Sequence, residues 1–519
     1  MSEPTIDRIL QHLEKGQSGE AYALQSTVVL AREEDSAQLA SLGRAWRGRG
    51  YTPLALPIFN RVLDLCPEQA EAWANVAWCL MDLGQHPLAE ESFRRALERD
   101  PDHPSSLFGM YGALLSRGDV QTALQKLVRA RELSGGAPAV LAALAKHHLT
   151  ALNLDAAEAA ARELAHKEPS AGHMLLCRVA FRRKDYETAM DHVERSLADR
   201  PEWYQAWFWK ADVLHAQAKY PEAAKAYVRA NHLAPRKGLV TLEGFSKDAE
   251  ALRKHVASML ERAPTPVDPQ QPVFVVGSPR SGTSILTQAL DNHSGLYSVG
   301  ESQLVPSLAQ VGIARLGGEA GVIELLRALG TQSELQDELR DRARVWIETH
   351  APAGARIVDK LPGNVFSLGL IAHVFPGAAV VQMVRDGRDV AFSAFSICFE
   401  QALWHSYAID DALLEWSHAL ELGHALADRY GVPYRRQRYE AFTRAPREEL
   451  EAILGFLGLP FEDRCLEVAD NRRFVATASY AQVRDGIHSR SVAKWRHYAQ
   501  LFEEIPEHAQ RALTELGYT

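Results

Sequence analysis

Small and large apolar positions recur through the first half of the chain with a regular long period. Prolines at 67, 101, 169, 201 and 235, with Gly135 filling the one gap, stand 34, 34, 34, 32 and 34 residues apart. Twelve positions before each mark lies an alanine: Ala55, Ala89, Ala123, Ala157, Ala189 and Ala223. One unit reads Trp73, Ala77, Leu80, Gly84, Ala89, Phe93, Ala96 and Pro101, and the last reads Trp207, Ala211, Leu214, Tyr220, Ala223, Tyr227, Ala230 and Pro235. Steps of three and four residues predict helices. The small residues let two antiparallel helices approach closely, the larger ones fill the space between successive hairpins, and the proline ends the second helix. The pattern predicts a stack of about six units over residues 36–237, preceded by an N-terminal helical cap over 1–35.

The pattern then changes. A basic helical stretch around Arg253, Lys254 and His255 is followed by Pro264, Pro266, Pro269 and Pro272, so 238–271 reads as a linker helix and a proline-rich linker. Beyond it lies a second domain, 272–519, opening with the buried-strand pattern Val273-Phe274-Val275-Val276-Gly277 and, after a turn, the helical run Ile285 to Leu290. The longest apolar stretch, Leu368 to Val384, is interrupted by His373, Pro376, Gly377 and Gln382. It predicts a helix end and a buried strand rather than a membrane span.

The chemistry sits at the ends of these strands. The turn Ser278-Pro279-Arg280-Ser281-Gly282-Thr283-Ser284 between strand and helix is a phosphate loop. There, backbone N–H groups and the helix N-terminus point at one anion, and hydroxyls add donors. The Gly277–Gly282 spacing matches a Walker loop, but Thr283 stands where that motif has its lysine, which disfavours ordinary ATP or GTP hydrolysis. Arg280 instead brings a guanidinium suited to phosphate or sulfate oxygens. The second strand, Ala379 to Val384, delivers Arg385-Asp386-Gly387-Arg388-Asp389-Val390, with Ser393 one turn farther on, and makes a second anion-binding corner. For Asp386, Arg388 and Asp389 the favoured reading is a charge network bracing the helix start.

Composition narrows the classes. With 519 residues, 46% hydrophobic and 24% charged, the chain is globular and needs at least two domains. The net charge of −9 disfavours nucleic-acid binding through a broadly basic surface. Five dispersed cysteines make no disulfide framework or zinc pair, and the twenty histidines show no metal-site spacing, so no metal is expected. The start Met1-Ser2-Glu3-Pro4 lacks a secretory pattern, which gives a cytoplasmic expectation.

The periodic units resemble tetratricopeptide repeats. The pair P-R-S-G-T-S (279–284) and V-R-D-G-R-D-V-x-x-S (384–393) resembles the two nucleotide-binding signatures of sulfotransferases that use 3′-phosphoadenosine 5′-phosphosulfate. The whole resembles the bacterial repeat-bearing sulfotransferases, and the C-terminal part the tyrosylprotein sulfotransferase catalytic domain. The resemblance implies an all-α repeat superhelix followed by an α/β P-loop-like sulfotransferase domain with a parallel sheet. It implies that Ser278, Pro279, Arg280, Ser281, Gly282, Thr283 and Ser284 hold the 5′-phosphosulfate, and that Arg385 and Ser393 hold the 3′-phosphate. Glu301 resembles the catalytic base and Lys360 the lysine that steadies the transferring group; the plain alternatives are a surface glutamate and a solvated lysine. Tyr439 would lie near the nucleotide, a position that equally fits a core tyrosine. Ser479 would touch the leaving oxygen and Lys494 a phosphate.

The acceptor implied is a hydroxyl of a protein, saccharide, lipid or small molecule. Ser302 to Ser307 lacks the arginines that the tyrosylprotein family uses on acidic tyrosine peptides. The repeats suggest a protein partner on their concave face. The competing classes are a repeat scaffold with an inactive nucleotide-binding domain and a P-loop kinase. Intact Arg280, Glu301, Lys360, Arg385 and Ser393 disfavour the first, and the missing loop lysine with the Arg385–Ser393 corner the second.

Overall fold

The computed structural model describes residues 6–15, 20–21, 35–236, 240–317, 321–399, 403–470 and 486–518. The chain divides into two compact units, Met1–Glu202 and Trp203–Thr519.

The first unit is a run of helical hairpins. Ser36–Gly48 pairs with Thr52–Leu65, Ala70–Asp82 with His86–Arg99, and Pro104–Ser116 with Val120–Leu133. Pro138–Thr150 pairs with Leu154–Lys167, and Pro169–Arg182 with Tyr186–Asp199. The phase alanines Ala55, Ala89, Ala123, Ala157 and Ala189 are all fully buried, as close helix approach requires. The turn inside each hairpin also keeps the period. Its left-handed residue is Gly50, Gly84 and Gly118 in the first three units, then Leu152 and Lys184. The last two carry a Cβ where glycine has none, a cost of about 1–2 kcal/mol each that the stacked neighbours offset.

The second unit begins with a sixth hairpin, Tyr204–Ala216 and Tyr220–Leu233, followed by the helix Leu242–Ala257. The proline-rich stretch carries no regular structure before residue 273, yet it is tied down: Thr265 N–H donates to the Gly431 carbonyl at 2.8 Å and Asp268 N–H to Gly377 at 2.9 Å.

Five parallel strands then form one sheet: β1 (Val273–Gly277), β2 (Leu296–Gly300), β3 (Arg356–Asp359), β4 (Ala379–Val384) and β5 (Tyr434–Arg438), in the order β2-β3-β1-β4-β5. Side chains alternate between two cores, because successive Cβ atoms leave a strand on opposite faces. Val273, Val275, Ala379, Val381 and Met383 face a cluster with the helix Thr283–Asp291 and with Phe442, Leu450 and Ile453. Phe274, Val276 and Val380 face the other cluster, with the helices Leu368–Val374 and Ile409–Tyr430. Burial on both faces explains why β1 and β4 read as unbroken apolar runs. The stretch from Leu368 to Val384 is, as expected, a helix followed by a strand. Among the described residues no helix is long and apolar enough to cross a membrane.

The chain leaves β1 toward one edge and returns through β3, then crosses to the other side at β4. The carboxyl ends of β1 and β4 therefore flank a switch in winding direction, where open parallel sheets form their ligand crevice.

Candidate active site

Each strand ends in one of the residues singled out by the sequence. Arg280 lies in the loop after β1, Glu301 directly after β2, Lys360 after β3, Arg385 after β4 and Tyr439 after β5. Parallel winding brings all five to one rim of the sheet.

The loop after β1 is backbone-specified. Gly277 and Gly282 take φ of 141° and 104°, and Arg280 itself has φ of 75°. A Cβ on Gly282 would lie 2.5 Å from the Tyr439 ring, so only glycine lets the loop pass beneath that side chain. Strain at a non-glycine residue such as Arg280 costs about 1–3 kcal/mol and collects at functional sites. The helix Thr283–Asp291 starts directly after Gly282 and presents its N-terminus to the loop. Ser278, Ser281 and Thr283 are buried, while Pro279, Arg280 and Ser284 are partly exposed.

Arg280 and Ser393 are in contact, the guanidinium Nε donating to the Ser393 hydroxyl at 3.1 Å. Arg385 is buried, with its guanidinium 4.7 Å from the centre of the Tyr439 ring. Its Nη1 donates to the Arg280 carbonyl at 3.1 Å, and its Nη2 donates to the Ser491 carbonyl and lies 3.5 Å from Asp389. The Arg385 Nε–H and the Ser281 hydroxyl are both buried and have no hydrogen-bond partner among the described residues.

Lys494 completes a cationic cluster. Burial lowers its pKa, and Arg385, Arg280 and Arg490 lower it further, against Asp389. Arg280 is lowered to about 10, first by burial and then by Arg385. Three cations that disfavour one another in a poorly solvated crevice suit a polyanion chemically, because its charge would relieve the repulsion.

The neighbouring charges act as a brace. Asp386 caps the helix Gly387–Phe395 by accepting from Arg388 N–H at 2.9 Å, and pairs with the Arg388 guanidinium at 2.8 Å. That guanidinium lies 3.8 Å from the centre of the Trp495 ring. Asp389 accepts from the backbone N–H groups of Ala493 at 2.7 Å and Trp495 at 3.0 Å, which fastens the Lys494 segment to the helix.

On the other side of the loop, Lys360 is 1% exposed in its side chain and forms an ion pair with the more exposed Glu301. Lys360 N–H donates to the Gly300 carbonyl at 2.9 Å, so the ends of β2 and β3 are fixed to each other. Burial lowers the Lys360 pKa, against the attraction of Glu301. Beneath the pair lies a carboxyl the sequence did not single out. Asp359 is fully buried, pushed up to about 7 by burial, and accepts from the Ser302 hydroxyl and from Asn364 Nδ2 at 3.2 Å. Glu415, buried on Ile409–Tyr430, is likewise raised to about 8 by burial, with Ser278 opposing the shift. Both were illegible in sequence because nothing local marks a lone carboxylate as buried. Ser479 lies outside the described residues.

Residues 272–463 match the model of the sulfotransferase family. Residues 174–236 match the tetratricopeptide repeat, and 58–175 match the middle TPR-like domain of cilia and flagella-associated protein 70. An uncharacterized protein of Aquifex aeolicus (strain VF5) is 33% identical over 267 residues, which is 48% of this chain and 33% of that protein. The protein-tyrosine sulfotransferase of Drosophila melanogaster is 27% identical over 199 residues, 37% of this chain and 39% of that protein. The chain thus spans between a third and two fifths of these relatives' lengths. Among solved structures, the sulfotransferase domain of the Synechococcus PCC 7002 olefin synthase aligns at 23% identity and a TM-score of 0.35, covering 50% of this chain and 96% of that one. Residues that match the tetratricopeptide repeat are thus followed, in this chain, by residues that match the sulfotransferase family.

Proposed function

We propose that the C-terminal domain, 272–519, transfers a sulfuryl group from 3′-phosphoadenosine 5′-phosphosulfate to an acceptor hydroxyl. The observation that carries this reading is the convergence of Arg280, Arg385 and Lys494 at the switch point of the sheet, with Arg385 Nε and Ser281 Oγ buried and lacking partners among the described residues. Two buried donors beside three mutually repelling cations fit a ligand with more than one anionic group.

The donor supplies a sulfuryl group on a phosphosulfate anhydride and a second phosphate on the ribose. The loop Ser278–Ser284 and Arg280 hold the phosphosulfate end. Arg385, Ser393 and Lys494 hold the second phosphate, and Tyr439, packed on both Gly282 and Arg385, forms the wall between the two corners. Glu301 takes the proton from the acceptor hydroxyl as its oxygen bonds to sulfur. Arg280 and Lys360, with Ser479, offset the charge left on the phosphate oxygen when the old S–O bond breaks. Lys360, paired with Glu301, stands between the two events. Positioning and electrostatics carry the rate, and no metal takes part.

Protein tyrosine is the acceptor placed first, because matched relatives bear the name protein-tyrosine sulfotransferase. The missing arginines after Glu301 argue for a tyrosine without the acidic surroundings those residues would read. The repeats of the first unit offer a surface for the protein that bears it.

The test uses donor labelled in its sulfate, offered to the full chain with tyrosyl peptides, saccharides and simple phenols. Transfer to a hydroxyl, lost in Glu301→Gln with nucleotide binding retained, upholds the reading. Failure to bind the donor would overturn it, and transfer to a saccharide alone would replace the acceptor.

A further inference from the structure

The sixth hairpin departs from the array at positions that can be found by counting back from the mark that ends each unit. Eight positions before the mark at the first five units stand Phe59, Phe93, Leu127, Ala161 and Val193, all apolar; the sixth has Tyr227. Twenty back stand Arg47, Met81, Leu115, Leu149 and Phe181; the sixth has His215. Four back stand Leu63, Leu97, Arg131, Ala165 and Leu197; the sixth has Asn231. The earlier polar residues at these phases, Arg47 and Arg131, pair with Asp82 and Glu163 of their own array, whereas those of the sixth hairpin meet other partners.

Asn231 is buried, and its Nδ2 donates to the Phe395 carbonyl at 2.8 Å, at the end of the helix Gly387–Phe395. The Tyr227 ring lies edge-on to Phe392, 6.0 Å between centres, and its hydroxyl donates to Asp212 at 2.6 Å. Phe392 is the neighbour of Ser393, which holds Arg280. His215 Nδ1 is bonded at 2.7 Å to the hydroxyl of Tyr498, which is fully buried and stacks on Phe392 at 4.0 Å. Tyr498 belongs to the short element Lys494–Leu501 that begins with Lys494. The hairpin is thus bonded to both elements that carry the second anion corner, and all of these residues lie within the unit Trp203–Thr519.

We propose that the hairpin Tyr204–Leu233 is a positioning device for the anion site: His215, through Tyr498, sets the segment that carries Lys494, while Tyr227 and Asn231, through Phe392 and Phe395, set the helix that carries Ser393. These are positioning residues, acting through Tyr498, Phe392 and Phe395. Asp212 adds support: burial raises its carboxyl to about 7, and Lys494 is among the groups that pull it back, so the hairpin's carboxylate lies within the field of the site. The last repeat is then part of the transferase as well as the end of the array. The coupling itself rests on contacts, and only its meaning for the donor rests on the sulfotransferase reading.

The test returns the positions to residues the array already uses, His215→Leu and Asn231→Leu, together in the full chain. Hydrogen–deuterium exchange without ligand should rise for amides in 387–396 and 489–502 and stay unchanged in the hairpins before residue 200. Affinity for adenosine 3′,5′-bisphosphate should fall about tenfold, as expected for losing the two hydrogen bonds that run from the hairpin to these segments, and should fall less in a Lys494→Met background. Unchanged exchange in the two segments overturns the proposal, as does a loss of affinity that is fully additive with Lys494→Met. If the unaltered chain does not bind the bisphosphate, the donor reading fails, and the exchange measurement alone decides the coupling.

Discussion

Replacing Arg385 with methionine should separate binding from folding, because Arg388, three positions on, provides a matched control. Arg385 has a buried Nε–H without a partner among the described residues, beside Arg280 and Lys494. A phosphate oxygen meeting it would form a charge-assisted bond worth about 1.5–3 kcal/mol, so its loss should weaken nucleotide binding by about 10- to 150-fold. Asp389, 3.5 Å away, already offsets part of the Arg385 charge, which places the expected loss in the lower half of that range. Folding should also suffer. Breaking a buried pair costs about 3–5 kcal/mol, and Asp389 keeps its bonds from the Ala493 and Trp495 amides, so the lower end applies. Arg388→Met breaks a comparable buried pair with Asp386, but that guanidinium is engaged by Asp386 and the Trp495 ring. It should lower the unfolding midpoint and, acting on the anion corner only through the brace, weaken binding much less than Arg385→Met. Calorimetric titration with adenosine 3′,5′-bisphosphate, at a temperature where both variants are folded, reads the difference. A loss in Arg385→Met no greater than that in Arg388→Met would refute the assignment of Arg385 to the ligand.

Further expectations follow from the same geometry. Glu301→Gln should lower turnover by about 100-fold or more, the usual contribution of a positioned base, with the nucleotide Kd changed by no more than about threefold; steady-state kinetics beside calorimetry checks this. Asp359 is held up to about 7 from an ordinary 3.8, so the folded state binds its proton more tightly than the unfolded state. The stability this gives is complete below pH 3.8 and is lost as pH rises through about 7, so Asp359→Asn should raise the thermal midpoint at pH 8 and change it little at pH 4. Gly282→Ala should lower nucleotide affinity by about tenfold or more, because φ of 104° and the Tyr439 ring leave no room for a Cβ. Gly455→Ala, in the helix Pro446–Phe456 with nothing near its Cβ, should keep affinity and gain about 0.5–1 kcal/mol in a melting experiment.

Local periodicity made the repeats legible: the alanine twelve positions before each mark is fully buried in every unit, and the left-handed turn residues follow the same spacing. The strands β1 and β4 were legible because burial on both faces left only apolar residues. β5, Tyr-Arg-Arg-Gln-Arg, was not: it pairs with β4 alone at the sheet edge, where its arginines need not be buried. The turns after β1 and β4 could be placed at strand ends because their residues are contiguous with those strands. The pairing of Glu301 with Lys360, 59 positions apart, could be expected only from a resemblance, and the buried Asp359 beneath them not at all. The contacts of His215, Tyr227 and Asn231 were equally hidden, since a repeat pattern tells where a side chain packs within its own array and not what a later domain brings against it.

The central claim is that the crevice holds the adenosine 3′,5′-bisphosphate skeleton of a sulfuryl donor, and calorimetric titration of the full chain with that compound, beside ATP and GTP, tests it most directly. Selective binding of the bisphosphate, weakened about tenfold or more in Arg385→Met and much less in Arg388→Met, is the predicted result. Preference for ATP or GTP, or no binding of any of the three, would contradict it.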